Sequence, residues 1–169
     1  MSHPVIIVDY DPQWPILYED EKSRILNIIG HKVLAIEHIG STAVPGLGAK
    51  PIVDIMACVR GRSDADDCVP LLGNIGYDDV TPQEGNLDWY YCLGKDTHSS
   101  GYHLHLMRYM SDFSKKHLLF RDYLRAHPDV AQQYLELKRG LATKYGSDRV
   151  SYMESKTLFI ESVVARARE

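Results

Sequence analysis

Residues 37–55, EHIGSTAVPGLGAKPIVDI, constrain the fold more strongly than any other part of the chain. Two short β-rich runs, residues 33–39 and 52–59, flank a segment over residues 41–51 that Gly and Pro interrupt repeatedly. Such punctuation excludes regular structure between the two runs. The segment therefore predicts a strand, a loop and a second strand within an α/β fold.

The loop carries groups that suit a phosphate. Gly40 and Ser41 fall where the first strand ends, so backbone N–H groups and the hydroxyls of Ser41 and Thr42 are presented together as donors. Gly40 has no Cβ and lets the backbone approach an anion, and Lys50 adds a positive charge nearby. We predict a phosphate-binding turn for a nucleotide tail; a loop that these residues merely shape is the alternative.

Asp54 lies in the middle of the second strand. Alternation places Ile52, Asp54 and Met56 on one face and Val53 and Ile55 on the other, so a carboxylate stands on an apolar surface and requires a partner. A divalent cation, Mg²⁺ or Mn²⁺, is the natural partner if a phosphate is the substrate. The alternative is that Asp54 caps a turn or pairs with a lysine.

His103 and His105 share one face of a strand predicted over residues 102–109. If that strand is a neighbour of the Asp54 strand, one carboxylate and one or two imidazoles can hold a single ion, including a transition metal. Imidazoles that bond to backbone carbonyls are the equal alternative.

Further candidates come from the first strand and the last helices. Glu37 and His38 are adjacent, so only one can face the site, and we favour Glu37 as a ligand or general base. Lys138 and Lys156 lie beside the apolar stripes of two predicted helices, and both can neutralise phosphate if these helices cover the sheet. The alternative for each lysine is a solvated helix face.

The remaining elements follow from caps and periodicity. Asp11 and Pro12 start a helix that Gly30 ends, and Ser63 caps a short second helix. Three C-terminal helices are predicted over residues 112–127, 129–145 and 148–167. The last of them carries an apolar stripe of Val150, Met153, Ile160, Val164 and Ala167.

Strands are also predicted over residues 76–80 and 87–93, around a turn at Pro82. A polar connection over residues 94–101 follows them.

The bulk properties exclude several classes. A net charge of -4 and a pI near 6.0 disfavour a nucleic-acid partner. The chain shows no apolar run of membrane-spanning length and no signal-peptide pattern at its start, so we expect a cytoplasmic protein. Without repeats or linker-like stretches, residues 1–169 are expected to form one domain.

The three cysteines, Cys58, Cys68 and Cys92, match neither a disulfide framework nor a paired-cysteine zinc site. Small core residues are expected at these positions, with a nucleophilic cysteine as the alternative.

The motifs YDPQW at residues 10–14 and EHIGSTAVPGLGAKPIVDI at residues 37–55 resemble the GrpB-like proteins, predicted nucleotidyltransferases. The resemblance extends to HLHL, FRDYLRAHP and YMESKTLFI, and so covers nearly the whole chain. It implies a nucleotidyltransferase-like mixed sheet flanked by helices with a C-terminal helical segment, and nucleotidyl transfer to an unknown acceptor. A similar domain is fused to dephospho-coenzyme A kinase in some bacteria, which implies a link to coenzyme A metabolism.

Two positions depart from the wider nucleotidyltransferase pattern. Met56 stands where that pattern has a second acid, and His103 and His105 stand near the place of a third. A two-metal centre built from three carboxylates is therefore not expected. Two other functions remain open: a non-catalytic module that binds a nucleotide or a coenzyme A-related ligand, and a hydrolase with a metal held by Asp54, His103 and His105.

Overall fold

Five strands and five α-helices form the part of the chain that the computed structural model describes, residues 6–84, 88–96 and 101–169. In chain order they are α1 (Trp14–Ile29), β1 (Ala35–Ile39), β2 (Ile52–Val59), α2 (Arg62–Gly73), β3 (Asp79–Glu84), β4 (Trp89–Asp96), β5 (Gly101–Arg108), α3 (Asp112–Ala126), α4 (Pro128–Tyr145) and α5 (Arg149–Ala167). A single 3-10 turn, Ser41–Ala43, follows β1.

The strands form one mixed sheet in the order β1-β2-β5-β4-β3. Only β2 and β5 are parallel among the described strands, and the other neighbours are antiparallel. The register places Asp54 of β2 opposite Ile39 of β1 and His103 of β5. The predicted α/β class with a mixed sheet flanked by helices is thus confirmed.

The two faces of the sheet are buried by different helices. Val53, Ile55, Leu104 and Leu106 pack with α1 and α2 in the larger core. The opposite face, which carries Asp54, packs through Met56 and its neighbours against α3. Helices α4 and α5 join α3 in a separate apolar cluster with the loop after β1. Burial of apolar surface therefore fixes the loop and the C-terminal helices together.

A buried acid links α1 to the far side of the sheet. The fully buried Glu21 carboxylate accepts a hydrogen bond of 2.7 Å from the Tyr77 hydroxyl. Lys95 of β4 and Arg24 of α1 each donate to the same carboxylate at 3.0 Å. This network satisfies a charge that would otherwise be costly to bury.

The predicted ends of the first two helices are partly right. Helix α1 ends before Gly30 as expected, but it begins at Trp14 instead of Pro12, and the Asp11 side chain accepts a hydrogen bond from Gln13 N ahead of the helix. Helix α2 is preceded by Gly61, so the predicted Ser63 cap is wrong.

The predicted turn at Pro82 is also wrong. Pro82 lies within β3 and pairs with Tyr91 of β4. Strand β3 is at the edge of the sheet, where a residue without an N–H can be accommodated. Residues 85–87 and 97–100, which include parts of the predicted strand over 87–93 and of the connection over 94–101, lie outside the described residues. Strand β4 continues to Asp96, into the first part of the predicted connection.

The predicted stripe on α5 is wrong at its N-terminal end. Val150 and Met153 are 69% and 46% exposed, whereas Tyr152, Val163 and Val164 are buried. The helix carries apolar residues on more than one face, and its packing against α3 and α4 selects the face that includes Tyr152. Among the described residues, no helix combines the length and apolar character needed to cross a membrane.

Burial raises the pKa of the Cys58 and Cys68 thiols to about 11. Both side chains are buried among apolar residues of the core. These two cysteines are accordingly core residues rather than reactive thiols.

Candidate functional site

The loop after β1 brings its first residue against the second strand. Gly40 has φ 75° and ψ -172°, a conformation that residues with a Cβ rarely adopt. A Cβ at this position would lie 2.7 Å from Asp54 Oδ2. The turn and the carboxylate are therefore in direct contact, and glycine is required for that contact.

Lys138 of α4 reaches the turn from a buried position, with only 3% of the residue exposed. Its Nζ donates to Ser41 Oγ at 2.8 Å and to the Gly48 carbonyl at 2.9 Å. Burial, together with the charges of Lys156 and Lys50, lowers the pKa of Lys138 to about 7. A buried amine is thus held directly on the hydroxyl that we expect to contact a phosphate.

Two more lysines complete a cluster with Lys138. The Nζ atoms of Lys50 and Lys156 lie 5.6 and 5.5 Å from the centre of the Tyr152 ring. Burial lowers the pKa of Lys156 to about 8, with a further contribution from the charge of Lys50. Lys138 itself lies over the ring of Tyr134 at 4.8 Å. We call Lys50, Lys138 and Lys156 the lysine cluster.

Asp54 is held in its ionised form beside this cluster. His105 Nε2 donates to Asp54 Oδ1 at 2.9 Å, and His103 Nδ1 lies 3.7 Å from the same oxygen. Burial alone would raise the pKa of Asp54, but the hydrogen bond from His105 and the charges of His105, His103 and Lys156 outweigh it. The pKa is lowered to about 2, so the site contains a carboxylate at neutral pH.

His105 is held from its other side by a residue that the sequence did not reveal. Tyr90 Oη lies 3.1 Å from His105 Nδ1, while Nε2 of the same ring donates to Asp54. His117 of α3 packs beside the His105 ring, with centroids 5.6 Å apart. Burial lowers the pKa of His117 to about 4, which keeps its imidazole neutral. The sequence shows which residues of β4 share a face with Tyr90. It does not show that this face is the one with His105, because that depends on the register between β4 and β5.

The predicted metal ligands lie together but are not arranged around a common point. His105 uses Nε2 on the Asp54 carboxylate, and its Nδ1 faces Tyr90. Within residues 6–84, 88–96 and 101–169, no group of three His, Cys, Asp or Glu side chains is arranged to hold a metal ion. The histidines therefore orient the carboxylate in this structure.

One predicted site residue, Thr42, faces away from the turn. Thr42 is buried, and its Oγ1 lies 2.9 Å from His38 Nε2, so its hydroxyl is not presented beside that of Ser41. Burial lowers the pKa of His38 to about 4, and its ring stacks on α1. Thr42 contributes to the packing below the turn.

Glu37 lies on the same face as Asp54, but Arg121 of α3 binds its carboxylate at 2.6 Å. It lines a separate groove of about 350 Å³ between α1 and α3, together with Lys22 and Arg125. This ion pair does not support the expected role of Glu37 as a ligand or general base.

The backbone of the loop is held by the C-terminal helices. Three basic side chains each donate to one carbonyl around the turn: Arg121 to His38 at 3.1 Å, Arg125 to Ala43 at 2.9 Å, and Lys138 to Gly48 at 2.9 Å. Such bonds fix the path of the loop from its start to its end.

Solved structures resemble this fold at two levels of similarity. GrpB from Enterococcus faecalis superposes with a TM-score of 0.85 and 32% identity, covering 96% of both chains. The Cid1 poly(U) polymerase bound to MgGTP has a TM-score of 0.57 and 13% identity, over 80% of this chain and 44% of its own. GLD-2 in complex with RNP-8 has a TM-score of 0.61 and 8% identity, over 93% of this chain and 60% of its own. These distant neighbours show a nucleotidyltransferase-like fold.

Sequence relatives agree with the solved structures. The UPF0157 protein BH1888 of Halalkalibacterium halodurans is 35% identical over 96% of this chain and 82% of its own length. The glutamate-rich protein GrpB of Alkalihalophilus pseudofirmus is 34% identical over 95% of this chain and 94% of its own length. A dephospho-CoA kinase of Mycolicibacterium paratuberculosis is 29% identical over 97% of this chain and 46% of the kinase. The family model described as GrpB protein matches residues 4–166, and the chain therefore belongs to the GrpB family.

Proposed function

We propose that this protein binds a nucleotide or a related phosphorylated small molecule, with its phosphates at the Gly40–Ser41 turn. The main support is the position of the Lys138 amine, which is buried and lies 2.8 Å from Ser41 Oγ. A buried cation is costly unless an opposite charge or hydrogen-bond acceptors compensate it. A phosphate at Ser41 would supply that charge where the loop already provides a hydroxyl donor.

Each neighbouring residue has a role in this proposal. Gly40 lets the loop backbone approach the ligand without a side chain in the way. Ser41 donates its hydroxyl, and Lys50 and Lys156 supply charge at the rim of the site. The dephospho-CoA kinase relative adds coenzyme A precursors to the nucleotides as ligands to be tested.

Thermal shift with ATP and with dephospho-coenzyme A tests this function directly, because a ligand that binds the native state raises its stability. We expect at least one of them to stabilise the protein, and Lys138→Met to remove that stabilisation. Lys144→Met is the matched control, since Lys144 lies exposed on the same helix, over the ring of Tyr145. Equal ligand stabilisation of both variants would remove Lys138 from the site.

Nucleotidyl transfer to an acceptor is the second candidate. It is favoured by the nucleotidyltransferase-like fold and by the ionised Asp54 carboxylate beside the turn. A two-metal centre built from several carboxylates is not favoured, however. Met56, at the place of the second acid, is buried and apolar, and His105 occupies one Asp54 oxygen. The protein thus supplies one carboxylate to a cation, whose other ligands would come from substrate phosphates and water.

Asp54→Asn separates binding alone from metal-assisted transfer. Asparagine keeps an acceptor for His105 but removes the negative charge beside the expected phosphates. Isothermal titration of ATP in the presence of Mg²⁺ should show equal or higher affinity if Asp54 only repels the phosphates. Weaker binding would instead support a cation bridging Asp54 and the nucleotide, and would favour transfer.

A metal-dependent hydrolase would hold its metal through Asp54, His103 and His105. Their geometry does not favour this function, because His105 donates to the carboxylate instead of facing an ion. A stoichiometric transition metal in the purified protein would reverse that judgement.

A further inference from the structure

Ser41 and Lys138 form a hydroxyl–amine pair at the turn. Ser41 is partly exposed where the 3-10 turn begins, whereas Lys138 is buried. The distance of 2.8 Å between Ser41 Oγ and Lys138 Nζ is that of a direct hydrogen bond. Enzymes of unrelated folds use a serine and a lysine in such contact as nucleophile and general base. The contact therefore fits a reaction at the Ser41 hydroxyl as well as the binding of a ligand.

Contacts other than the one with Ser41 hold the amine in place. Lys138 Nζ donates to the Gly48 carbonyl at 2.9 Å and lies 4.8 Å from the centre of the Tyr134 ring. An activated serine requires a base within hydrogen-bond reach and a further group that orients the base. Lys138 is placed as that base, and the Gly48 carbonyl is placed as the group that orients it.

A lysine acts as a base only through its neutral amine, and the surroundings of Lys138 favour that form. Burial is the largest cause that lowers its pKa to about 7. The charge of Asp54 opposes this shift, and three basic side chains support it: Lys156, Lys50 and Arg139. A neutral amine accepts the Ser41 proton through its lone pair and still has hydrogens to donate to Gly48. The hydrogen bonds of the pair are thus kept when Lys138 loses its charge.

We propose that Ser41 is a nucleophile with Lys138 as its general base, and that the site hydrolyses esters as a second activity. Ser41 Oγ forms a bond to the acyl carbon while its proton passes to Lys138 Nζ, and the alcohol of the ester leaves with that proton. Water then attacks the acyl carbon and gives a proton to Lys138, which returns it to Ser41 Oγ as the acid is released. The cycle consumes one ester and one water.

An uncharged ester fits this activity better than a phosphate. A phosphate beside Ser41 would favour the protonated form of Lys138, because an opposite charge stabilises the ammonium group. That group has no lone pair for the hydroxyl proton. The two kinds of ligand therefore exclude each other at Ser41, since the phosphate binds the charged lysine and the ester requires the neutral one. The activity goes beyond the proposed function and does not depend on it.

Labelling with a fluorophosphonate tests the nucleophile. In this reaction the serine Oγ forms a bond to phosphorus, fluoride leaves, and Lys138 takes the hydroxyl proton. Peptide mass spectrometry should place the adduct on Ser41 and not on Ser162, which is exposed on α5. The rate should rise with pH around the Lys138 pKa of about 7 and level off above it, as the amine becomes neutral. Absence of an adduct on Ser41, or equal labelling of Ser162, would overturn the proposal.

Variants of Lys138 test the base. Lys138→Arg keeps a positive charge and N–H donors, but a guanidinium group cannot act as a base. Labelling of Ser41 and hydrolysis of p-nitrophenyl acetate should each fall about a hundredfold or more at pH 8, as expected for the loss of a general base. Lys138→Met should show the same loss, and the melting temperatures of both variants verify that they fold. Lys144→Arg is the control, because Lys144 is exposed on the same helix. Equal rates for Lys138→Arg and Lys144→Arg would contradict the role of Lys138.

Labelling in the presence of ATP separates this activity from the proposed function. ATP that binds at the turn should slow the labelling of Ser41, because its phosphates keep Lys138 protonated. If ATP raises the melting temperature but Ser41 is never labelled, the esterase activity is refuted and the proposed function stands. If Ser41 is labelled equally with and without ATP, and neither ATP nor dephospho-coenzyme A stabilises the protein, the proposed function is refuted and the nucleophile stands.

Discussion

The Asp54 carboxylate lies against the backbone of Gly40, so closely that a Cβ would stand 2.7 Å from Oδ2. Because φ at Gly40 is 75°, a side chain there would also strain the backbone. A bulky residue such as valine at position 40 would consequently displace Asp54 as well as block a ligand. Substitution of Gly40 tests the packing of the site rather than ligand access alone.

Gly40→Ala should destabilise the protein more than Gly46→Ala. Both positions have positive φ, but a Cβ at Gly46 would meet nothing within 4 Å, so only backbone strain is added there, about 1–2 kcal/mol. Gly40→Ala adds the displacement of Asp54 to the strain. Urea denaturation of the two variants measures the difference, and equal losses of unfolding free energy would show that the Gly40–Asp54 contact is loose.

Ser41 and Thr42 should differ in what their substitution affects. Thr42→Val leaves the buried His38 Nε2 without its partner, so we expect a loss of about 1–3 kcal/mol in stability and unchanged ligand affinity. Ser41→Ala should lower the affinity for ATP or tripolyphosphate, because it removes the hydroxyl beside Lys138. Denaturation and titration of both variants check the pair. A loss of affinity in Thr42→Val alone would contradict this division of roles.

Lys138 should make stability depend on pH in a defined direction. Burial lowers its pKa from 10.5 to about 7 in the folded protein, whereas the unfolded chain keeps the higher value. Between about pH 7 and 10 the unfolded state therefore binds more protons, and unfolding free energy rises with pH. Relative to Lys138→Met, the parent protein should gain stability across this window. Parallel curves of melting temperature against pH for the two proteins would show that the amine is not desolvated.

Glu21 should be important for stability although it lies outside the site. Glu21→Gln leaves Lys95 without its charged partner and weakens the bond from Tyr77, so we expect a loss of about 3 kcal/mol. The exposed neighbour Asp20→Asn should change stability by no more than about 0.5 kcal/mol. Chemical denaturation measures both changes. Similar small effects would show that the buried network is dispensable.

Much of the sheet could be predicted from local patterns. The strand Ile52–Val59 was predicted with its observed ends, and alternation placed Asp54 and Met56 on one face. The approach of His103 and His105 to Asp54 depended on a condition that the sequence could not test, namely that β2 and β5 are neighbours. Local periodicity gives faces, whereas strand order depends on the whole sheet.

The contacts that the sequence did not predict depend on burial and on strand pairing. Thr42 follows Ser41 directly, but the 3-10 turn directs its hydroxyl toward buried His38. Tyr90 approaches His105 through the pairing of β4 with β5, which no local pattern specifies. Burial and register decide these contacts, and neither can be read from one segment alone.

Because Arg121, Arg125 and Lys138 hold three carbonyls of the loop from distant parts of the chain, we expect the turn to take its shape late in folding. Lys138 is separated from Ser41 by 97 positions, and Arg121 from His38 by 83. Contacts of such separation form only after the intervening chain has closed into a loop, which is slow. The hairpin of β1 and β2 can form early, but the shape of the turn waits for α3 and α4 to dock. Ligand binding during refolding would therefore report the moment at which the helical layer closes on the sheet.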